Sequence, residues 1–320
     1  MSNSTGAGHK LLVSIDVEDW YHGPTVISSS DPTRSLETVL QSSKDIERSF
    51  SYIDECLSIL SSAQVKATFF WVAEFAKRYP EIVKRVAAEN HEIACHGLSH
   101  YSKYNPRLGK DTFTPKEFKE RTQRARSILE DITGKKVIGY RAPNAYISGT
   151  IFDSLEELGF LYDSSVSVNS VYNKTSSKLA GVSTAPYYPL KGELCAGNRQ
   201  RSLIEFPWSY YQIGNFKFPT SGGPFLRVFG SGIISKGLEQ SLSRGHTTFY
   251  FHPTDICRES MPMKFSFKRP FLWSTNGKRV ERDIRTVLSR FQNCTSTFEE
   301  VISQTTSALT HGSEPSRASL

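Results

Sequence analysis

The stretch Leu11-Leu12-Val13-Ser14-Ile15-Asp16-Val17-Glu18-Asp19-Trp20 runs a short apolar segment straight into three carboxylates within four positions. Residues 11–15 read as a strand, and the acidic group lies immediately beyond its end. Carboxylates this crowded raise one another's pKa unless a metal or an arginine neutralises them. The strand end is therefore either a solvated acidic turn or one half of a cation site, and the rest of the chain has to decide which.

Working outward, short apolar runs recur at residues 66–72, 92–96, 137–141, 161–164, 203–207 and 247–252. Amphipathic helical stretches separate several of them, at 50–62, 80–89, 115–132, 150–158 and 226–244, with one more at 278–291. Thr114 and either Ser148 or Gly149 are start signals for two of these helices, and Gly134 and Gly159 are stops. Strands alternating with helices predict parallel strands joined by helical crossovers. In a parallel α/β barrel the active-site face is built at the C-terminal ends of the strands, so chemistry is expected there.

The strand ends carry it. The run at 92–96 leads into Cys95-His96-Gly97-Leu98-Ser99-His100, with two histidines four residues apart. On a helical turn that spacing points both imidazoles the same way. Two histidines and one carboxylate are a common shell for zinc and related ions, with a position left open for water or substrate. The run at 137–141 ends in Tyr140-Arg141-Ala142-Pro143-Asn144, where Pro143 fixes the turn and the Arg141 guanidinium is placed to pair with Asp16. The last run, Thr248-Phe249-Tyr250-Phe251, ends in His252-Pro253.

Bulk composition narrows the alternatives. A chain of 320 residues with 38% hydrophobic and 22% charged residues is globular, and long enough for one large α/β domain or two smaller ones. The formal charge is +7, but the basic residues are interleaved with Asp and Glu and no basic run with stacking aromatics stands out, so no nucleic-acid partner is expected. The polar start MSNSTGAGHK lacks the sections of a signal peptide, and no apolar run approaches a transmembrane segment. Five scattered cysteines without CxxC spacing indicate neither a disulfide framework nor a zinc knuckle, so a cytoplasmic setting is the expectation. Residues 1–10 are expected to be flexible, 172–198 and 257–277 to form long loops, and 311–320 to be a disordered tail.

In this order the motifs resemble the polysaccharide deacetylase family, the NodB-homology carbohydrate esterases. The acidic motif is Asp16 to Asp19, the HxxxH motif is His96 and His100, and the R-x-P turn is Arg141 and Pro143. The groove motif is Asp163-Ser164-Ser165 and the final motif is Phe251-His252, so the resemblance spans residues 11–255. It implies an α/β fold, a deformed (β/α) barrel of about seven parallel strands, within a single catalytic domain at residues 11–310. It also implies one divalent metal ion, zinc foremost, held by His96, His100 and a carboxylate. Asp16 is then the general base, Arg141 its positioning partner and His252 the general acid.

Typical members carry two adjacent aspartates where this chain reads Asp16-Val17-Glu18-Asp19. Strand alternation sends Glu18 to the side of Asp16, while a turn brings Asp19 to the metal; Asp19 is the favoured third ligand and Glu18 the alternative. Trp20, Pro143 and Asp163 are the candidate substrate-binding residues, with Tyr21, Tyr146, Trp208 and Trp273 as further stacking faces. The Gly222-Gly223 loop before the helix bearing Arg227, together with Phe251-His252-Pro253, resembles a subgroup tied to exopolysaccharide or surface-glycan assembly. The implied activity is removal of N-acetyl groups from an amino sugar in a polysaccharide, oligosaccharide or glycan precursor. The alternatives are hydrolysis of a cyclic ureide or other non-sugar amide on the same fold, and a glycan-binding module without catalysis.

Overall fold

The computed structural model describes residues 8–22, 49–105, 109–171, 179, 182–197, 201–259 and 276–310. Residues 1–7, parts of the loops expected at 172–198 (172–178, 180–181 and 198) and 257–277 (260–275, with Trp273), and the tail at 311–320 lie outside the described residues.

In chain order the strands are β1 (Leu11–Val17), β2 (Thr68–Trp71), β3 (Glu92–Cys95), β4 (Tyr104–Asn105), β5 (Lys110–Asp111) and β6 (Gly139–Tyr140). They continue with β7 (Tyr162–Asp163), β8 (Ile204–Glu205), β9 (Tyr210–Ile213), β10 (Phe216–Pro219), β11 (Thr247–Phe251) and β12 (Thr295–Ser296). The α-helices are α1 (Ile53–Ser62), α2 (Ala73–Arg78), α3 (Pro80–Ala88), α4 (Pro115–Thr133), α5 (Gly149–Glu157), α6 (Gly223–Leu242), α7 (Pro253–Ile256), α8 (Lys278–Phe291) and α9 (Phe298–Thr310).

Each of the seven strands read from the sequence is present, and they run parallel in the order β11-β1-β2-β3-β6-β7-β8. The sheet curls until its edges meet through a single parallel bridge between Trp208, just past β8, and Thr248 of β11. The result is a curled half-barrel, with β12 pairing the first two residues of β1. One hydrogen-bonded sheet thus takes strands from both halves of the chain.

Side-chain parity sorts the residues of β1. Leu11, Val13, Ile15 and Val17 join the large core between sheet and helices, whereas Leu12 packs into the barrel with Phe70, Ala94, Tyr162, Ile204 and Phe206. This is the period-2 alternation of a strand buried on both faces. The bottom of the barrel is plugged by Phe298 at the start of α9, which stacks on Tyr162 at 4.8 Å between ring centroids. Gly139 on β6 makes room for that plug, since a Cβ there would lie 1.9 Å from Tyr162 Cζ.

Local signals hold where the chain is locally determined. Thr114 and Glu117 form a reciprocal capping box at α4, and Gly134 ends that helix in the left-handed region. The sequence reading passed over α2, the antiparallel hairpin β9–β10 and helix α9. His9 and Lys10, expected to be flexible, are tied down: the Lys10 N–H donates to His246 Nδ1 at 2.9 Å, and His9 Nδ1 lies 2.7 Å from the Leu242 carbonyl oxygen. Among the described residues no helix is long and apolar enough to cross a membrane.

Candidate active site

The strand alternation set by β1 persists beyond its end. Ser14 and Asp16 face the barrel interior and Glu18 follows them on the same side, so Asp16 and Glu18 reach the same mouth as His96 beyond β3, Arg141 beyond β6 and His252 beyond β11. Five chemistry-bearing side chains from four strand ends therefore meet at the C-terminal rim, where an α/β barrel places its reactive groups.

Asp16 is buried and accepts a hydrogen bond from Arg141 Nη1 at 2.6 Å. Arg141, itself fully buried, spends its remaining donors on the Ser164 carbonyl (Nε, 2.9 Å), the Ser14 hydroxyl (Nη1, 2.9 Å) and the Ser164 hydroxyl (Nη2, 3.1 Å). Its guanidinium lies 4.0 Å from the centroid of Phe70. A planar cation satisfied on several sides and seated on a ring holds its partner carboxylate in one orientation.

Glu18 is the carboxylate beside the two histidines. Its Oε2 contacts His100 Nε2 closely and lies 3.4 Å from His96 Nε2, and one ligand atom from each of the three lies within 4.8 Å of the others. His96 Nδ1 bonds the Arg141 carbonyl oxygen at 2.9 Å, which makes Nδ1 the protonated nitrogen and leaves the Nε2 lone pair facing Glu18. Buried His100 leaves Nδ1 without a hydrogen-bond partner among the described residues and turns Nε2 to Glu18 alone, the side on which a cation would sit. The donor set of two imidazoles and one carboxylate suits zinc or a related divalent ion, so these residues fit a resident metal. Burial opposes ionisation of Glu18, but the facing His100, His96 and His252 rings outweigh it and hold its carboxyl well below the usual carboxylate range.

Asp19, the ligand favoured from the sequence, points elsewhere. Its Oδ1 accepts from the Trp20 N–H at 2.7 Å and its Oδ2 from the Ser49 N–H at 2.8 Å, while its own N–H donates to His22 Nδ1 at 2.8 Å. The extended parity of β1 carries through to Glu18, and the turn that begins at Asp19 folds its carboxylate into tying residue 49 to the strand end. The HxxxH segment is corrected as well: residues 96–100 form no helix, and a turn with Gly97 at φ +79° and His100 at φ +62° brings the two rings to 4.9 Å. A left-handed histidine is uncommon and is held here by the packing around it.

His252 completes the rim. Its Nε2 lies 3.6 Å from Glu18 Oε1, and its Nδ1 lies 3.1 Å from Asp255 Oδ2. Burial biases the ring against its charged form, but Asp255, Glu18 and Asp16 outweigh that and push its pKa up to about 9. Asp255 is in turn held down to about 2, with Arg227 and His252 overcoming its burial. Asp255 was not singled out from the sequence, although His252-x-x-Asp255 has the spacing of a capping box and forms one at α7. His22 was missed too; its ring sits 5.3 Å from His100, and burial followed by the charge of His100 keeps it well below its ordinary pKa.

The three candidate substrate-binding residues part company. Trp20 is half-buried beside the acidic turn. Pro143 is buried, opens a short 3-10 turn and accepts from the Ser102 hydroxyl through its carbonyl. Asp163 is fully buried on the outward parity of β7 and does not line the mouth: its Oδ2 accepts from the Ser165 hydroxyl, and it lies in register with Glu205 of β8. Burial raises both carboxyls, Asp163 to about 6, and the charge of Asp163 raises Glu205 further while the hydrogen bond between them favours ionised Asp163, so the pair shares a proton behind the sheet. Trp208 is buried as well, its Nε1 donating to the Ser164 carbonyl and its ring 4.6 Å from Tyr250, so it forms the wall under the site rather than an open stacking face.

Known proteins add to this geometry. Residues 46–162 match the model for Polysaccharide deacetylase, and residues 169–301 match a model described only as Domain of unknown function (DUF3473). The chain is 28% identical over 113 residues to the peptidoglycan-N-acetylglucosamine deacetylase of Bacillus cereus, covering 34% of this chain and 48% of that protein. The chain spans about a third to a half of the length of the curated relatives it matches. Among solved structures, a probable polysaccharide deacetylase from Pseudomonas aeruginosa PAO1 superposes with a TM-score of 0.58 at 14% identity, over 95% of this chain and 92% of the other. An allantoinase superposes with a TM-score of 0.58 at 12% identity, over 95% and 91%. At such identities the superpositions speak for the fold alone. The match over residues 46–162, which holds His96, His100 and Arg141, is the part of the chain that resembles the polysaccharide deacetylase family.

Proposed function

We propose that this chain is a metal-dependent N-deacetylase that hydrolyses the acetamide of an amino sugar within a glycan or glycan precursor. The observation that carries the reading is the convergence at one rim of an arginine-held carboxylate, a Glu-His-His donor set and an aspartate-held histidine. An amide hydrolase needs a base for water, an electrophile for the carbonyl and an acid for the leaving nitrogen, and these groups supply all three.

Glu18, His96 and His100 would hold a divalent ion, which when bound would supply Lewis-acid activation of the amide carbonyl and of water. Asp16 accepts the proton of the attacking water, with Arg141 fixing the direction of its carboxylate. His252 is protonated at neutral pH and delivers a proton from Nε2 to the leaving amine, while Asp255 holds Nδ1. Acetate and a free amino sugar leave. Trp20, half-buried beside the acidic turn, would supply an aromatic face for the sugar ring.

The test compares zinc-loaded protein on N-acetylglucosamine oligomers and on a cyclic ureide, reading acetate and free amine from the first and ring opening from the second. Acetate release that disappears on chelation and returns with zinc is expected. Ureide hydrolysis without acetate release would move the chain to the non-sugar amide reading, and glycan binding without turnover of either would make it a binding module.

A further inference from the structure

The histidine read as the acid lies in the half of the chain matched only as a domain of unknown function, and so does everything that holds it. Asp255 is fully buried. Its Oδ2 accepts the His252 backbone N–H at 2.7 Å and lies 3.1 Å from Nδ1, while its Oδ1 accepts from Arg227 Nη2. Arg227 is buried in the second turn of α6. The helix begins with two glycines whose missing side chains permit this approach. A Cβ on Gly223 would lie 1.8 Å from Asp255 Oδ2, and one on Gly222, at φ +109°, would lie 2.4 Å from Tyr250 Cζ. The start of α6, whose helical backbone breaks at Gly230 (φ +68°), is thus pressed against the carboxylate.

We propose that Arg227 and the Gly222-Gly223 start of α6 form a positioning clamp for His252. Arg227 fixes Asp255, and Asp255 fixes Nδ1–H and so the direction of the ring. Nε2 is then left facing the Glu18 side of the mouth, where the scissile nitrogen would sit. Arg227 touches no reacting atom; it acts through the carboxylate. This assigns a task to the segment of unknown function: beyond closing the sheet with β8 and β11, it aims the proton donor. The clamp rests on the reading of His252 as the acid.

The experiment uses the full chain loaded with zinc and compares wild type, Arg227→Met, Arg227→Lys, Gly223→Ala, Asp255→Asn and the Arg227→Met/Asp255→Asn pair. For each, kcat, KM, zinc content and melting temperature come from one preparation, and ¹⁵N-edited NMR follows the His252 Nδ1 proton, assigned by its loss in His252→Ala. Arg227→Met should lose on the order of 10- to 100-fold in kcat, as misplacement of a reacting group does, with KM and zinc content close to wild type and the Nδ1 proton lost to exchange. Arg227→Lys should recover part of the loss. In the Asp255→Asn background Arg227→Met should add less than about 2-fold, because both act through one carboxylate. Wild-type kcat per folded, zinc-loaded molecule in Arg227→Met, or losses that multiply in the pair, would overturn the clamp. If Arg227→Met does not fold, Gly223→Ala decides, since it drives a methyl group into Asp255 without removing a charge; unchanged kcat there also overturns it. A wild type that releases no acetate refutes the deacetylase reading, and the clamp is then judged by NMR alone, where an Nδ1 proton unaffected by either substitution counts against it.

Discussion

At the scale of the residue, which carboxylate faces the two histidines is decided by which way a side chain leaves the end of β1. Glu18 Oε2 meets both histidines, whereas both Asp19 oxygens accept backbone N–H groups. Glu18→Gln should therefore lower metal affinity by 10-fold or more in a chelator competition, a loss at least on the order of that caused by removing an outer-shell partner. Asp19→Asn should keep the metal and lower the melting temperature, because it loosens the tie to Ser49. Metal lost from Asp19→Asn and retained by Glu18→Gln would return the role to Asp19. His252→Ala should keep both fold and metal while losing on the order of 10²-fold or more in kcat, the scale of a missing general acid. Turnover near wild type in folded, metal-loaded His252→Ala would remove the residue from the mechanism.

At the scale of the element, α9 and β3 meet around a carboxyl that the chemistry does not use. Glu92, the first residue of β3, accepts from the Thr68 hydroxyl at 2.5 Å, the Tyr162 hydroxyl at 2.6 Å and the Glu299 N–H at 3.0 Å. Burial outweighs these bonds and raises its pKa from 4.5 to about 7. The folded chain therefore holds this proton more tightly than the unfolded chain. The associated stability is complete below about pH 4.5 and is lost as pH rises through about 7, an effect on the order of 2–3 kcal/mol. Glu92→Gln carries no such proton, so its melting temperature relative to wild type should rise between pH 5 and pH 8. A difference that stays constant across that range would mean that Glu92 is ionised throughout.

At the scale of the whole molecule, the half-barrel is open at the mouth and plugged at the base. Phe298 enters from below and touches rings from three strands, with centroids at 4.8 Å from Tyr162, 5.2 Å from Phe206 and 5.7 Å from Phe70. The candidate metal-binding and proton-transfer groups lie at the opposite end, beyond the layer of Ser14, Arg141 and Ser164. Phe298→Ala should cost about 3–5 kcal/mol by opening a cavity in the barrel. Zinc content and KM of the protein that remains folded should stay near wild type. Loss of metal at a temperature where the variant is fully folded would show that base and mouth are coupled more tightly than this layering allows.

The sequence by itself determined the seven parallel strands, because continuous apolar runs such as 11–15 and 247–251 leave a doubly buried strand few other places to go. It also determined the meeting of Asp16, His96, His100, Arg141 and His252, because residues just past the ends of parallel strands share one face. Phe298 sits inside the capping-box pattern Thr297-x-x-Glu300, whose two hydrogen bonds both form, but only the packed barrel shows what its ring fills. Only the tertiary structure shows which of Glu18 and Asp19 faces the two histidines, since a strand's alternation can be read locally but the residue at which it gives way to a turn depends on what the turn is tied to, here Ser49. It likewise decided that Asp163 faces outward to Glu205, away from the mouth, and that α6 closes on Asp255. These are contacts between segments 30 to more than 40 residues apart, set by which faces the folded sheet presents to one another.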